Sequence, residues 1–404
     1  MPVQLIFATL ALLIPLASAA LTAPFETAPP EAKGQTPAFP GQTRAETPAR
    51  PTPVTITPFA EGLRQSWAME FLPDGRVLTT EKAGGMRIVG ADGRPGPSVT
   101  GVPAVDARGQ GGLLDVALSP GFMEDRTIFA SSAEPRGGGR NGTSVFRARL
   151  VEQDGAARLE DVTVILRQEP SYAGTLHFGS RLVFGRDGTL FVTVGERSDD
   201  ATRVQAQDIR SGLGKIFRIR PDGSVPPDNP FVGRADALPT IWSYGHRNLQ
   251  SAALDGQGRL WTVEHGPRGG DELNRPEPGK NYGWPEVTYG IEYRGVKVGR
   301  GVTEKAGTEQ PVYYWDPVIA PSGMEIYSGD LFPDWRGAVL VGGLRAECVV
   351  VLRMRDDRVA SEERLPTGAR VRDVKQGPDG AVYVLTELDG AGSGSRILRI
   401  APRR

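Results

Sequence analysis

RDGTLFVTVGE, residues 186–196, is a turn carrying Asp187 and Gly188, followed by a run of β-formers that closes on Glu196. Asp and Gly favour a tight reversal, while Val, Phe and Thr favour a pleated strand. The unit recurs as PDGRVLTTE at Asp74, EDRTIFASSAE at Asp125, DGQGRLWTVE at Asp255, PDWRGAVLVGG at Asp334 and PDGAVYVLTE at Asp379. The copies stand roughly sixty residues apart with unequal gaps, as loops of different length on one face would produce. Other apolar runs lie between them: VFRARL at Val145, KIFRIR at Lys215, VVVLRM at Val349 and RILRIA at Arg396. Each unit therefore holds several strands, and no long helical period appears. The pattern predicts an all-β chain, a six-bladed β-propeller with four-stranded antiparallel blades over residues 54–404. The strand VTITPF at Val54 is expected to join the last blade, because closing the ring protects its edges. A pair of double-sheet sandwiches is the structural alternative.

The chain has 404 residues and a formal charge of -1, which gives no reason to expect nucleic acid as a partner. Its 52 Gly and 34 Pro suit many short strands and turns rather than long helices. Leu5 to Leu16 is an apolar run closed by Ala17-Ser18-Ala19, which reads as a signal peptide over residues 1–19, although Met1 to Gln4 carries no positive charge. The run is short for a membrane span, so the expectation is an exported, soluble, periplasmic protein. Residues 20–53 are rich in Pro, Ala and Thr and read as a flexible or extended linker outside the fold. A single cysteine, Cys348, excludes an internal disulfide, and its run CVVVL marks it as a buried packing residue.

The densest chemistry lies between Ile241 and Trp284, where polar groups flank the strand LWTVE. His246, Arg247 and Asn248 precede that strand, while His265, Gly266, Pro267, Asp271 and Glu272 follow it. Loops at the ends of strands are where propellers build sites. The Gly-Pro turn could offer backbone carbonyls to a hard cation such as calcium, or be a tight turn with solvated charges. His177 precedes the strand that ends in Glu196, and a histidine base needs such a carboxylate to fix its tautomer. A structural histidine would fit that place as well. Arg370 and Arg372 alternate on one short strand and share a face. With Arg247 and Arg345 they could form a cationic floor for a carboxylate-bearing ligand, or be ordinary surface arginines. His246 and His265 read as structural or supporting residues. With no Gly-x-Gly-x-x-Gly, P-loop or Cys-x-x-Cys, nucleotide cofactors are disfavoured.

GQGGLLDVALSPGF, HFGSRLVFGRDGTLF, GKIFRIRPDGSVPPDNPF, YGHRNLQ, EHGPRGGDELN, GKNYGWP and RVRDVKQGPDG together resemble the soluble aldose sugar dehydrogenases. These are quinoprotein relatives of soluble glucose dehydrogenase that use pyrroloquinoline quinone (PQQ). The resemblance covers nearly everything after the linker and implies a six-bladed propeller. It makes His177 the general base for the sugar's anomeric hydroxyl, oriented by Glu196. Gln110 matches a glutamine of the sugar and cofactor pocket, and Arg247 and Asn248 match the pair that contacts the quinone oxygens. The carbonyls of Gly266 and Pro267 match the ligands of a calcium that also binds the cofactor. Arg345, Arg370 and Arg372 match residues that hold the cofactor's carboxylates. Glu272 and Tyr282 match a second, structural calcium site, with Asp271 a weaker candidate. Leu176 stands where the glucose enzymes have Asp, and their longer enclosing loops are missing, which favours a broader aldose pocket. No haem motif identifies the electron acceptor.

Two rival functions remain open on sequence. A calcium-dependent lactonase-type propeller would need carboxylates and amides around its metal, whereas this chain offers carbonyls beside arginines. A non-catalytic propeller that binds glycans or proteins would not need His177, Arg247 and the Arg370/Arg372 pair together. Fold alone cannot choose among these.

Overall fold

Each repeat becomes the second strand of a blade. The computed structural model describes residues 23–387 and 394–403, so the expected signal peptide lies outside the described residues. The repeats form Val77–Glu81, Thr127–Pro135, Leu190–Val194, Leu260–Glu264, Val339–Gly343 and Val382–Glu387, each hydrogen-bonded on both sides in a four-stranded sheet. The runs at Val145, Lys215, Val349 and Arg396 form the third strands of their blades. Six antiparallel four-stranded sheets result, a six-bladed propeller. Val54–Arg64 pairs antiparallel with Gly394–Pro402, so the chain's first strand completes its last blade.

Innermost in the blades are Ser66–Phe71, Leu113–Leu118, Gly179–Phe184, Leu249–Leu254, Pro321–Ile326 and Arg370–Gln376. Some of their charges pair across the ring. Arg181 donates to Asp115 at 2.8 Å and lies 3.1 Å from Asp373, all three being buried. Such pairing is what makes buried charge tolerable, each partner offsetting the other's lost hydration. Between blades the packing is apolar: Val339, Val341, Val350 and Leu352 of blade five meet Trp261, Val263 and Leu273 of blade four. Cys348 is buried in the same cluster, as expected.

The segment before Val54 is extended but lies against the propeller, not apart from it. Its Glu31 and Ala32 N–H groups donate to the Asp316 carboxylate at 2.7 and 3.0 Å. Gln42 donates to the Pro311 carbonyl at 2.9 Å, and Ala32 and Gln42 are buried. Composition pointed to a linker because few apolar side chains are present. The attachment is made instead by backbone groups, which composition does not report.

Candidate active site

The site residues come from one edge of every blade. An inner strand starts where its antiparallel neighbour ends, so Leu249 pairs with Glu264 and Arg370 with Glu387. Residues at or just before the start of an inner strand, and at or just after the end of a second strand, therefore converge on one face of the ring. His177, Arg247, Asn248, Arg370 and Arg372 come from the first kind of position, and Lys82, Glu196, His265, Gly266 and Glu387 from the second.

Local geometry places His177. Its backbone is left-handed at φ 49, and its N–H donates to Gln110 Oε1 at 2.9 Å. The imidazole Nδ1 lies 2.7 Å from Glu196 Oε1, while Glu196 Oε2 accepts the Ser198 N–H at 2.9 Å. No hydrogen bond from the described residues reaches His177 Nε2. Gly195 makes the close approach possible, because a Cβ there would stand 2.3 Å from the His177 carbonyl and 2.9 Å from Asn248 Oδ1. Asn248 Oδ1 in turn accepts the Gly179 N–H at 3.1 Å, tying blade four to the His177 turn.

Burial raises the Glu196 carboxyl to about 7, against the pull of Arg247 and the Ser198 N–H. Burial, then Arg247 and Arg197, holds His177 well below the ordinary imidazole value. Both shifts disfavour an imidazolium–carboxylate pair. Above about pH 7 the pair has lost its extra proton, leaving Nδ1–H facing an ionised Glu196 and a bare Nε2.

Arg247 is fixed from three sides. Its N–H donates to Glu264 Oε2 at 2.7 Å, its carbonyl accepts the Glu196 N–H at 2.9 Å, and its guanidinium donates to the Gly266 carbonyl at 2.7 Å. The same guanidinium sits 5.1 Å from the Trp284 ring, with Nε buried and unpartnered. Beside it opens a cavity of about 370 Å³ lined by Gln110, Trp67, Lys82, Gln250, His265, Arg370 and Arg372, among others. Arg372 donates to Glu387 at 2.7 Å and to Gln250 at 3.1 Å. Burial opposes ionisation of Glu387, but Arg372 and Arg370 outweigh it and hold that carboxyl below its usual range.

A model of the family described as Glucose / Sorbosone dehydrogenase matches residues 63–399. The chain belongs to that family. Aldose sugar dehydrogenase YliI of Escherichia coli (strain K12) is 42% identical over 360 residues, covering 88% of this chain and 95% of that protein. The apo-form crystal structure of the soluble aldose sugar dehydrogenase from Escherichia coli has a TM-score of 0.81 at 41% identity, covering 87% of this chain and 100% of that one. The PQQ-bound aldose sugar dehydrogenase of Streptomyces coelicolor has a TM-score of 0.71 at 30% identity, covering 88% of this chain and 100% of that one.

In this member of the glucose/sorbosone dehydrogenase family not every sequence candidate reaches the cavity. Arg345 turns outward, its guanidinium 3.4 Å from Glu31 of the N-terminal segment. Asp271 is spent on the backbone, its two oxygens accepting the Gly266 and Ala320 N–H groups at 2.8 Å each. It shapes the Gly266 turn. The Tyr282 hydroxyl donates to the Arg275 carbonyl and accepts the Glu277 N–H, so only its own carbonyl is available to a cation. Glu272 is partly buried near Glu264, and Asn274 bridges the two carboxylates at 3.0 and 3.1 Å. Burial, then the Glu264 charge, pushes Glu272 well above the usual carboxylate range.

Sequence reasoning passed over Trp67, Lys82, Gln250 and Glu387, and it ranked His265 as a supporting residue. Lys82 and His265 each directly follow the glutamate that closes a repeat, and Glu387 is such a glutamate. That shared position was the available signal.

Proposed function

We propose that the protein oxidises aldose sugars at the anomeric carbon to lactones, with PQQ as hydride acceptor, calcium beside it and His177 as general base. The observation that carries this reading is the His177–Glu196 contact of 2.7 Å, which leaves Nε2 without a hydrogen bond from the described residues, while Gln110, which accepts the His177 N–H, lines the cationic cavity. The residues present fit the cofactor. Lys82, Arg370 and Arg372 suit a planar group with several carboxylates, and the buried Arg247 Nε and His265 Nε2 lack partners. For calcium, no cluster of three His, Cys, Asp or Glu side chains exists among the described residues, so the carbonyls of Gly266 and Pro267 are the natural ligands there. The Glu272 carboxylate and Tyr282 carbonyl would hold a second ion, which would also relieve the repulsion between Glu272 and Glu264.

PQQ would supply the two-electron acceptor and calcium its polarisation. The protein's own groups do the rest. His177 Nε2 takes the proton from the anomeric hydroxyl while the hydride leaves C1, so the C1–O bond becomes the lactone carbonyl. Glu196 keeps the ring in the Nδ1–H tautomer and compensates the imidazolium as it forms. Gln110 braces the His177 backbone, and Arg247 would offer a buried positive charge to offset negative charge on the acceptor. Asn248, Arg345, Arg370 and Arg372 complete the cofactor contacts. Arg345 would have to swing from Glu31 to take part. The apolar run from Leu5 to Leu16 supports export to the periplasm, and the electron acceptor there is a separate partner.

The test is reconstitution of the unloaded protein with calcium and PQQ, followed by addition of an aldose. Sugar-dependent bleaching of the cofactor's oxidised spectrum with reduction of an artificial dye is expected. Stoichiometric loading with no response to any aldose would overturn the substrate, and absence of loading would overturn the cofactor.

A further inference from the structure

One buried guanidinium grips the chain on both sides of His177. Arg197 is 2% exposed, and its side chain folds back beneath the loop that precedes the base. Nε donates to the Leu176 carbonyl at 2.9 Å and Nη2 to the Gly174 carbonyl at 2.8 Å. Nη2 also donates to Asn141 Oδ1 at 2.7 Å, and Nη1 to the Asn141 carbonyl at 3.5 Å. The guanidinium plane covers the Phe178 ring at 4.0 Å. Residue 176 is thus held by a hydrogen bond and residue 178 by stacking, with His177 between them. Asn141 is itself anchored, donating to Asp106 at 2.8 Å and to the Gly174 carbonyl at 2.9 Å.

Two features make this arrangement costly as mere scaffolding. All the atoms that Arg197 bonds are uncharged, so a buried cation goes without a direct counter-ion. The burial is severe enough to bring its pKa down to about 10. Arg197 and His177 also both sit in the left-handed region, at φ 75 and φ 49, each costing about 1 kcal/mol or more for a side chain with a Cβ. Strain of this kind persists where surrounding contacts over-determine it, and such places are characteristically functional.

We propose that Arg197 is the positioning residue of His177, holding the base in its left-handed turn so that Nδ1 meets Glu196 and Nε2 is left free. Its charge adds a second effect. The His177–Glu196 pair is faced by Arg247 and His265 from blade four, by Arg203 from the short helix Asp200–Arg203, and by Arg197 from its own loop. Arg197 disfavours a proton on either member of the pair, which keeps Nε2 free at lower pH. The hydrogen bonds of the Arg197 side chain all go to Asn141 and to the loop before His177. Arg197 acts through His177.

This inference rests on His177 being the base, and the experiment separates the two. Arg197→Met and Arg197→Lys would be loaded with calcium and PQQ, and cofactor affinity, kcat, KM and the pH profile compared with wild type. Met removes both the fork and the charge, whereas Lys keeps the charge. For Arg197→Met, kcat should fall roughly 100-fold, as for a base displaced by about an ångström. KM and cofactor affinity should hold, and the acid limb of kcat/KM should move to higher pH. Arg197→Lys should lose part of kcat yet keep the acid limb in place, and it decides the matter if the methionine variant fails to fold. A purely structural arginine would lower thermal stability and the active fraction but leave kcat per loaded site and the limb unchanged, which overturns the proposal. Nitrogen-15 NMR of the His177 ring in the unloaded full chain reads the same positioning without turnover. A wild-type Nδ1–H tautomer that becomes mixed in Arg197→Lys supports it, and an identical ring signal overturns it. If His177→Asn retained turnover, the base assignment would fall, while the ring spectrum would still judge Arg197.

Discussion

The molecule contains two buried histidine–glutamate pairs built from the same parts, and they end in opposite states. His177 Nδ1 meets Glu196 at 2.7 Å, and His246 Nδ1 meets Glu264 at 2.9 Å. Each glutamate closes the repeat of its blade. The difference lies at the other ring nitrogen. His246 Nε2 is 2.9 Å from Ser243 Oγ, and its ring stacks on Tyr282 at 4.8 Å, so both nitrogens and a face are occupied. His177 Nε2 has no such partner among the described residues, and its turn is held by Gln110, which lines the cavity. A carboxylate-bound histidine is thus an ordinary product of this repeat, and the absence of a third contact marks the one available for chemistry.

The sharpest way to break the comparison is His177→Asn. Turnover per loaded site should fall about 1,000-fold, within the range for loss of a general base, while PQQ loading is retained. Steady-state kinetics with spectroscopic counting of cofactor tests this, and near-wild-type turnover would make His177 a second His246. Glu196→Gln comes next, with kcat lower by about 100-fold because a neutral amide no longer compensates the imidazolium. Its pH profile carries a sign as well. In wild type the pair takes up a proton as pH falls through about 7, where burial has raised Glu196, so activity declines there. Without a carboxylate, only His177 can take that proton, and burial with Arg247 and Arg197 opposes it. The acid limb of kcat/KM should therefore move to lower pH, and a limb that stayed or rose would break the assignment.

His246→Asn should do the reverse, costing about 2–3 kcal/mol of stability in denaturant titration while kcat per folded molecule stays near wild type. The mildest case, Ser243→Ala, frees His246 Nε2. About 1 kcal/mol of stability should be lost, with no gain in turnover from a His177→Asn background, because a freed nitrogen sealed from the cavity has no substrate to serve.

The propeller was legible because its second strands repeat a turn-and-strand unit whose apolar residues pack between blades. Of the innermost strands only the one holding Arg370 and Arg372 was read, since Asp115 and Arg181 interrupt any apolar alternation in theirs and pair across the ring. Within the site, His177 and Glu196 could be joined from the sequence because they end adjacent strands of one blade. Gln250 and Trp67 could not, as they meet only when the ring curves. The outward turn of Arg345 was hidden for the same reason, since its partner Glu31 lies more than three hundred residues away.

Ring closure has a consequence for biogenesis. The blade that supplies Arg370, Arg372 and Glu387 is completed by Val54–Arg64, from the opposite end of the propeller. A nascent chain still lacking its last strand has no finished arginine floor, whatever its first five blades have achieved. On the proposed function, capacity to load an anionic cofactor would therefore arise in the same event that joins head to tail.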